Sequence, residues 1–211
     1  MADRLKDLSD ALAAMVDRNG QSVVSVVGRR DAPASGVVWP AEGLVVTASH
    51  VLEWQEDIAV GLPDGGTTTA ELVGRDPATD LAVLRVSASS LAVPKWTPPD
   101  STRVGQLVLS LARSARGLRV GLGVVSVFGG AWQTQWGGQV DHYLETDLRL
   151  SAGFSGSMLL DPLGSAIGLN TSGLVRKTSL AVPTPTVRRV VEQLLEHPQV
   201  RGGFLGPLAP G

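Results

Sequence analysis

The chain has 211 residues, 43% hydrophobic and 18% charged, with 18 basic and 20 acidic side chains for a net charge of −2. That length suits one domain or two halves of about 100 residues each, and the composition excludes a disordered or fibrous chain. Near-neutral charge gives nucleic acid or an anionic membrane no electrostatic hold, and the absence of cysteine excludes disulfides, thiolate metal sites and a cysteine nucleophile.

No apolar run approaches the roughly 20 residues of a membrane span. The opening MADRLKDLSD is charged and lacks the apolar core of an export signal. The compartment stays open between the cytoplasm and a cell envelope reached by a leader since removed.

Residues 1–20 read as a helical segment. Leu5, Leu8, Leu12, Met15 and Val16 recur at helical spacing, and Gly20 ends the run. Such a helix lies on a core or forms an oligomer contact. From residue 21 to 91 the period changes to short β-rich runs: Ser22–Val27, Ser35–Trp39, Leu44–Thr47, Ile58–Leu62, Thr67–Gly74 and Leu81–Val86. Glu42-Gly43 and Asp64-Gly65 mark hairpins. Short strands without intervening helices predict an antiparallel barrel or sandwich. Residues 92–105, with Pro94, Pro98 and Pro99, read as a linker. A second strand series fills 106–183: Gln106–Leu111, Gly117–Phe128, His142–Thr146, Ser157–Leu160, Ser165–Thr171 and Thr178–Val182. Gly129-Gly130 and Gly137-Gly138 bracket a loop with Trp132 and Trp136. Helical spacing returns over 184–198, with Val187, Val190, Val191, Leu194 and Leu195, until Pro198 stops it. The tail 199–211 is rich in glycine and proline.

Three segments could carry chemistry. His50, in LVVTASHVL, follows an apolar strand that ends in small residues, leaving space around the imidazole. Asp80, in GRDPATDLAVLRV, precedes an apolar strand; it either caps a turn or accepts the second N–H of an imidazole and fixes its tautomer. Ser155, in SAGFSGSMLLD, stands between Gly153 and Gly156 in a bend that can expose a hydroxyl and aim backbone N–H groups at one point. Each signal alone is weak. Their order is not: a His, an Asp 30 residues on and a Ser 75 further on is the chain order of chymotrypsin, with the Ser in the second strand-rich half. Two barrels facing across a cleft would bring the three together. His142 and His197 read as surface residues.

The chain resembles the protease domain of the HtrA/Deg family, in the trypsin-like superfamily, from about Leu8 to Gly206. SVVSVV and SGVVWPAEGLVVTASHVL look like its first strands and catalytic histidine. DPATDLAVLRV is close to its aspartate motif, and GVVSV at Gly123–Val127 to the strand before its activation region. ETDLRLSAGFSGSMLLDPLGSAIGLNTSG is similar to its serine segment, and LAVPTPTVRRVVEQLLE to its exit strand and helix. The resemblance implies an all-β fold of two six-stranded antiparallel barrels with terminal helices. It implies a His50–Asp80–Ser155 triad and an oxyanion hole of the backbone N–H groups of Gly153, Phe154 and Ser155. Unfolded or extended polypeptides would be cleaved in protein quality control by a homotrimer, without cofactor or metal. Substrate would add a strand beside Leu169, Asn170, Thr171 and Ser172, with the primary pocket walled by those residues and by Arg149, Leu150 and Ser151. Arg149 stands six before the serine, so a trypsin-like choice of Lys or Arg is not expected. Pointing inward, it would favour an acidic side chain; pointing to solvent, it would leave a small apolar pocket for Val, Ala or Leu. The family continues into PDZ domains, and RGGFLG at 201–206 looks like the start of one. Phe154 replaces the family's Asn or Asp, Ser157-Met158 its Gly-Pro, and Ser151-Ala152 its Asn-Pro. These departures keep a second reading in view, an attenuated or silent protease fold that binds extended peptides.

Overall fold

Alternation along the apolar runs already separates two kinds of burial. In a computed structural model, which describes residues 2–28, 33–53, 56–88 and 91–197, the first six strands are β1 (Val23–Val27), β2 (Ala34–Val38), β3 (Leu44–Ala48), β4 (Ile58–Gly61), β5 (Thr67–Asp76) and β6 (Leu81–Val86). They close in the order β1-β2-β3-β6-β5-β4, antiparallel throughout, with β4 returning to β1. Val24, Val26, Val45, Ile58, Val60, Ala82 and Leu84 fill the barrel. The opposite faces of the same strands, Val23, Val37, Val46, Leu81 and Val83, are buried too, in a second cluster against the rest of the molecule. Strands apolar on both faces therefore lie where the barrel meets its neighbour. Gly43, at φ +68, and Gly65, at φ +89, occupy the two expected hairpin turns.

The remaining strands are β7 (Leu107–Ser114), β8 (Gly117–Gly129), β9 (Trp132–Gln133), β10 (Gln139–Val140), β11 (Tyr143–Thr146), β12 (Met158–Leu160), β13 (Ala166–Thr171) and β14 (Ser179–Pro183). Six of them close a second barrel, β11-β14-β13-β12-β7-β8, around Val108, Val125, Leu144, Leu159 and Ile167. The tryptophan loop between β8 and β11 is itself the small β9–β10 hairpin, with Gly137 at φ +82 in its turn. Leu109, Leu111, Met158, Leu160 and Leu169 join the cluster between the barrels. The proline-rich connection runs along β13: the Ala166 N–H donates to Lys95 (2.8 Å), and the Trp96 indole donates to the Val38 carbonyl (3.1 Å) while packing on Trp39.

Helix α2 (Thr184–Glu196) buries Val187, Val190, Val191 and Leu194 and leaves Leu195 largely in solvent. Its expected stop at Pro198 and the tail with RGGFLG lie outside the described residues. Helix α1 (Ala2–Gly20) rests on β7 through Met15, while Leu5 and Leu8 stay exposed. From β7, Arg113 ties the end of α1 to β1, donating to the carbonyls of Val23 (2.5 Å) and Gly20 (2.7 Å). Burial lowers its pKa from the ordinary arginine value.

Candidate active site

The pairing of β3 with β6 sets Ala48 opposite Leu81, so the residues just past β3 and just before β6 are neighbours. His50 sits in a single 3-10 turn, Ser49–Val51, and Asp80 immediately precedes β6. The turn delivering Asp80 is written in GRDPATD. The Asp76 carboxylate accepts from the Ala78 N–H (3.1 Å) and the Thr79 hydroxyl (2.8 Å), an Asx turn with Pro77 preset at its second position. Asp80 is then held at φ +58, a backbone region uncommon outside glycine and a feature that gathers at functional sites. A third element supports the turn: the Thr134 hydroxyl, from between β9 and β10, donates to the Ala78 carbonyl (2.7 Å).

Asp80 receives His50 twice, through the backbone N–H on Oδ1 (2.8 Å) and through Nδ1 on Oδ2 (2.7 Å). The Thr171 hydroxyl, at the end of β13, donates to the same Oδ2. The Asp80 side chain is 5% exposed and that of His50 is 29% exposed. The carboxylate therefore holds the ring from inside the protein and leaves Nε2 as the nitrogen turned outward. Gly173 closes over the pair: a Cβ there would lie 2.6 Å from both Asp80 Oδ2 and His50 Nδ1, so no larger residue fits.

The serine arrives on a turn whose geometry is explicit. The Phe154 N–H donates to the Ser151 carbonyl (3.0 Å), and Gly153, between them, has φ +98. A four-residue turn with that bond and a positive φ at its third residue is type II. Peptide planarity then fixes the rest, because the N–H of Gly153 points opposite to the carbonyl of Ala152. Arg119 on β8 takes that carbonyl through Nη1 (2.5 Å) and the Ser151 hydroxyl through Nη2 (2.9 Å), with its guanidinium 4.8 Å from the centre of the Phe154 ring. The Gly153 N–H consequently faces away from Arg119. Ser35 on β2 takes two more carbonyls of the bend: its hydroxyl donates to Gly153 (2.7 Å) and its N–H to Ser155 (3.0 Å), while the Phe154 carbonyl between them accepts from the Ser157 N–H (3.0 Å). Among the described residues, the N–H groups of Gly153 and Ser155 reach no acceptor. Two donors left unpaired on one turn are what an oxyanion hole requires. The Phe154 N–H, expected as a third donor, is spent inside the turn.

Phe154 packs backward. It is 6% exposed, and Cε1 lies 3.7 Å from where a Cβ on Gly121 would be. Ser157 is explained by a wholly buried cluster in which its hydroxyl meets those of Ser110 (2.9 Å) and the Asn170 amide (3.0 Å). Gly156 has room for hydrogen only, since a Cβ would collide with the Ser35 carbonyl.

The structure thus sets the His50–Asp80 pair against Gly173 and Ser155 against the adjacent Ser172. The Ser155 hydroxyl is half-buried and meets the Ser172 hydroxyl (3.0 Å); among the described residues it makes no hydrogen bond to His50. Thr171, expected beside substrate, instead supports Asp80. Leu169 and Asn170 are buried with both backbone edges paired, to β14 and to the 156–158 segment, so neither offers a free edge. Arg149, Leu150 and Ser151 line a cavity of about 530 Å³ with Ser172. Sequence reasoning missed Ser35, Arg119 and Gly173. Ser35 carried a faint signal, a Ser-Gly pair inside a β-branched strand, and Arg119 carried none. His142 is half-buried and stacks on Phe128 (5.2 Å), and His197 is exposed at the end of α2.

Residues 34–169 match the family described as trypsin-like peptidase domain. The chain is 34% identical over 180 residues to a probable periplasmic serine protease, do/HhoA-like, of Haemophilus influenzae, covering 82% of this chain and 38% of that one. It is 33% identical over 199 residues to a probable periplasmic serine endoprotease, DegP-like, of Marinomonas sp., covering 90% and 41%. The chain therefore spans about two fifths of the length of these curated relatives. Among solved structures, Deg5 superposes with a TM-score of 0.79 at 27% identity, covering 90% of this chain and 96% of that one. An HtrA-type protease, AlgW with a serine-to-alanine change and a bound tripeptide, superposes at 0.76 with 32% identity, covering 92% and 66%.

Proposed function

Because the chain belongs to the trypsin-like peptidases, with HtrA and DegP proteins as its relatives, we propose that it is a serine endopeptidase acting on extended polypeptide through His50, Asp80 and Ser155. The observation that carries the reading is the joint presence of an Asp-held imidazole and a serine on a turn with two unpaired N–H groups.

With substrate in the cleft, the Ser155 hydroxyl leaves Ser172 and turns to His50 Nε2; such bonds commonly form only once the site is occupied. Ser155 Oγ adds to the peptide carbonyl while Nε2 takes its proton. The Nδ1–H stays on Asp80, which stabilises the imidazolium. The tetrahedral oxygen lies against the N–H groups of Gly153 and Ser155. His50 then returns the proton to the leaving amine, and a water repeats the sequence to release the acyl group. Substrate pairs as a strand with the backbone beyond Thr171.

The relatives' names support a cell-envelope location. The exposed Leu8 on α1, beside the exposed Leu107 and Leu122 of the second barrel, and the exposed Leu5 one turn earlier support assembly into a trimer through that helix. Among the described residues, no helix is long and apolar enough to cross a membrane. Buried Phe154 and the unpaired donors favour an active enzyme over a silent peptide binder.

A fluorophosphonate probe and casein hydrolysis test the reading together. The intact chain is expected to be labelled at Ser155 and to cleave casein, and Ser155→Ala to do neither while melting within about a degree of wild type. Labelling elsewhere, or cleavage that survives Ser155→Ala, would remove Ser155 from the mechanism.

A further inference from the structure

The cavity beside the nucleophile lies between the segment Glu145–Ser151 and the segment Ser172–Ser179 and has a volume of about 530 Å³. Its mouth is fixed by Ser172, whose hydroxyl is 3.0 Å from Ser155 Oγ. A side chain entering it belongs to the substrate residue whose carbonyl is attacked. Four charged residues line it: Glu145, Asp147, Arg149 and Lys177. Their commitments differ.

Each acid has one carboxylate oxygen tied to a neighbour. Asp147 Oδ1 accepts the Val124 N–H at 2.7 Å and lies over Gly123 of β8, where a Cβ would strike it. The Glu145 carboxylate accepts the Tyr143 hydroxyl at 2.8 Å. Both cations are uncommitted: among the described residues, neither Arg149 nor Lys177 makes an ion pair or a side-chain hydrogen bond, and both are exposed. Lys177 also holds φ +62, a conformation uncommon outside glycine, and with Arg149 it lines the cavity. The remaining wall mixes hydroxyls, from Ser151, Ser172 and Thr178, with the apolar side chains of Leu148 and Leu150. An apolar guest meets only Leu148 and Leu150 among the lining side chains. A carboxylate gains two cationic donors and several hydroxyls, and charge-assisted hydrogen bonds are the stronger kind.

Resting on the endopeptidase reading, we propose that this cavity selects an acidic side chain, Asp or Glu, at the residue supplying the scissile carbonyl, with Arg149 and Lys177 as the specificity-determining residues. The cations attract the carboxylate and exclude Lys and Arg, so discrimination works in both directions.

The test uses the full chain and a set of fluorogenic peptides identical except for that residue, set to Glu, Asp, Ala, Val or Lys. The expected kcat/KM for Glu or Asp exceeds that for Ala or Val by about tenfold or more, and the ratio shrinks as salt rises because the attraction is screened. Arg149→Met and Lys177→Met each collapse the ratio, and Arg149→Glu moves preference toward Lys. That gain cannot come from misfolding, and fluorophosphonate labelling of Ser155 in each variant confirms an intact site. A labelled wild-type enzyme that prefers Ala or Val, or a Glu-over-Ala ratio indifferent to both Met variants, overturns the proposal alone. A wild-type chain that is neither labelled nor cleaves any peptide overturns the endopeptidase reading, and the proposal with it.

Discussion

Replacing Arg119 by Met removes the two hydrogen bonds to Ala152 and Ser151 but keeps an unbranched stem to cover Phe154. The turn bearing Gly153 has two low-energy forms. Type II, with φ positive at Gly153, directs its N–H to the cleft; type I, reached by flipping the Ala152–Gly153 peptide, directs the Ala152 carbonyl there instead. Arg119 bonds that carbonyl in the first form only. A hydrogen bond to a charged group contributes about 1.5–3 kcal/mol, and the exposed setting of both bonds puts these at the lower end or below. Losing about 1.5 kcal/mol shifts the balance between the forms by roughly tenfold. The ceiling is complete loss of one oxyanion donor, about 2.7–4 kcal/mol or 10²–10³ in kcat. The active fraction falls by at most the shift in that ratio, so Arg119→Met is expected to lower kcat on a fluorogenic peptide measurably, by up to about tenfold, with KM little changed because the guanidinium lies behind the turn. Affinity for a peptide boronate, which mimics the tetrahedral state, is expected to fall in parallel. Arg119→Lys is expected to restore only part, since a single ammonium cannot bridge both acceptors. Unchanged kcat and unchanged boronate affinity in Arg119→Met would refute this account of the turn.

Other expectations test separate links. Ser35→Ala strands the buried Gly153 carbonyl and the Arg113 N–H, which the hydroxyl also accepts at 2.9 Å; it is expected to cost about 1–3 kcal/mol in urea unfolding and to slow labelling of Ser155, and a loss under about 0.5 kcal/mol would contradict it. Tyr143, the one tyrosine, has its pKa raised by burial first and then by its hydrogen bond to Glu145 and the charge there. Its phenolate absorbance should rise at a midpoint above 10.0, moving down in Glu145→Gln. Because the folded-state pKa is the higher, this contribution to stability is complete below the unfolded value and is lost as pH rises through the folded one; a midpoint at or below 10.0 would show that Tyr143 does not engage Glu145. In sedimentation the intact chain is expected to run as a trimer and Leu8→Asp to shift it toward monomer, an outcome ruled out by a concentration-independent monomer of the intact chain.

Local chemistry made much of this legible. Apolar alternation bounded by Gly-containing turns marked the strands, and Asp76-Pro77 before Asp80 is a turn whose side-chain bonds are short-range in sequence. The resemblance then supplied the barrel closure, which no local pattern contains. What stayed hidden is what depends on partners distant in the chain. Thr171 reads equally well as a strand end beside substrate, until its hydroxyl is found on Asp80, 91 residues away. Leu169 and Asn170 read as substrate edge because pairing partners are invisible in sequence, and both edges prove to be occupied. The two-residue strands β9 and β10 are too short for any period, yet their turn steadies the loop that carries Asp80.

The departures at 154 and 157 show the same limit from the other side. Read singly, a bulky aromatic before the nucleophile threatens the cleft, and a serine in place of glycine after it threatens the bend. In the fold each is matched by residues on β7 or β8. The Phe154 ring packs beside Gly121 and Arg119 covers it, while Ser110 receives the Ser157 hydroxyl in a cluster closed by Asn170. The consequence is directional. Because Arg119 both covers the ring and holds the Ala152 carbonyl, packing of Phe154 and orientation of the Gly153 donor are one arrangement, set before substrate arrives. Electrostatic catalysis depends on donors that need not reorganise as charge develops. A short polar residue at 154 could not be sandwiched in this way, so the aromatic departure strengthens the case for a preformed site.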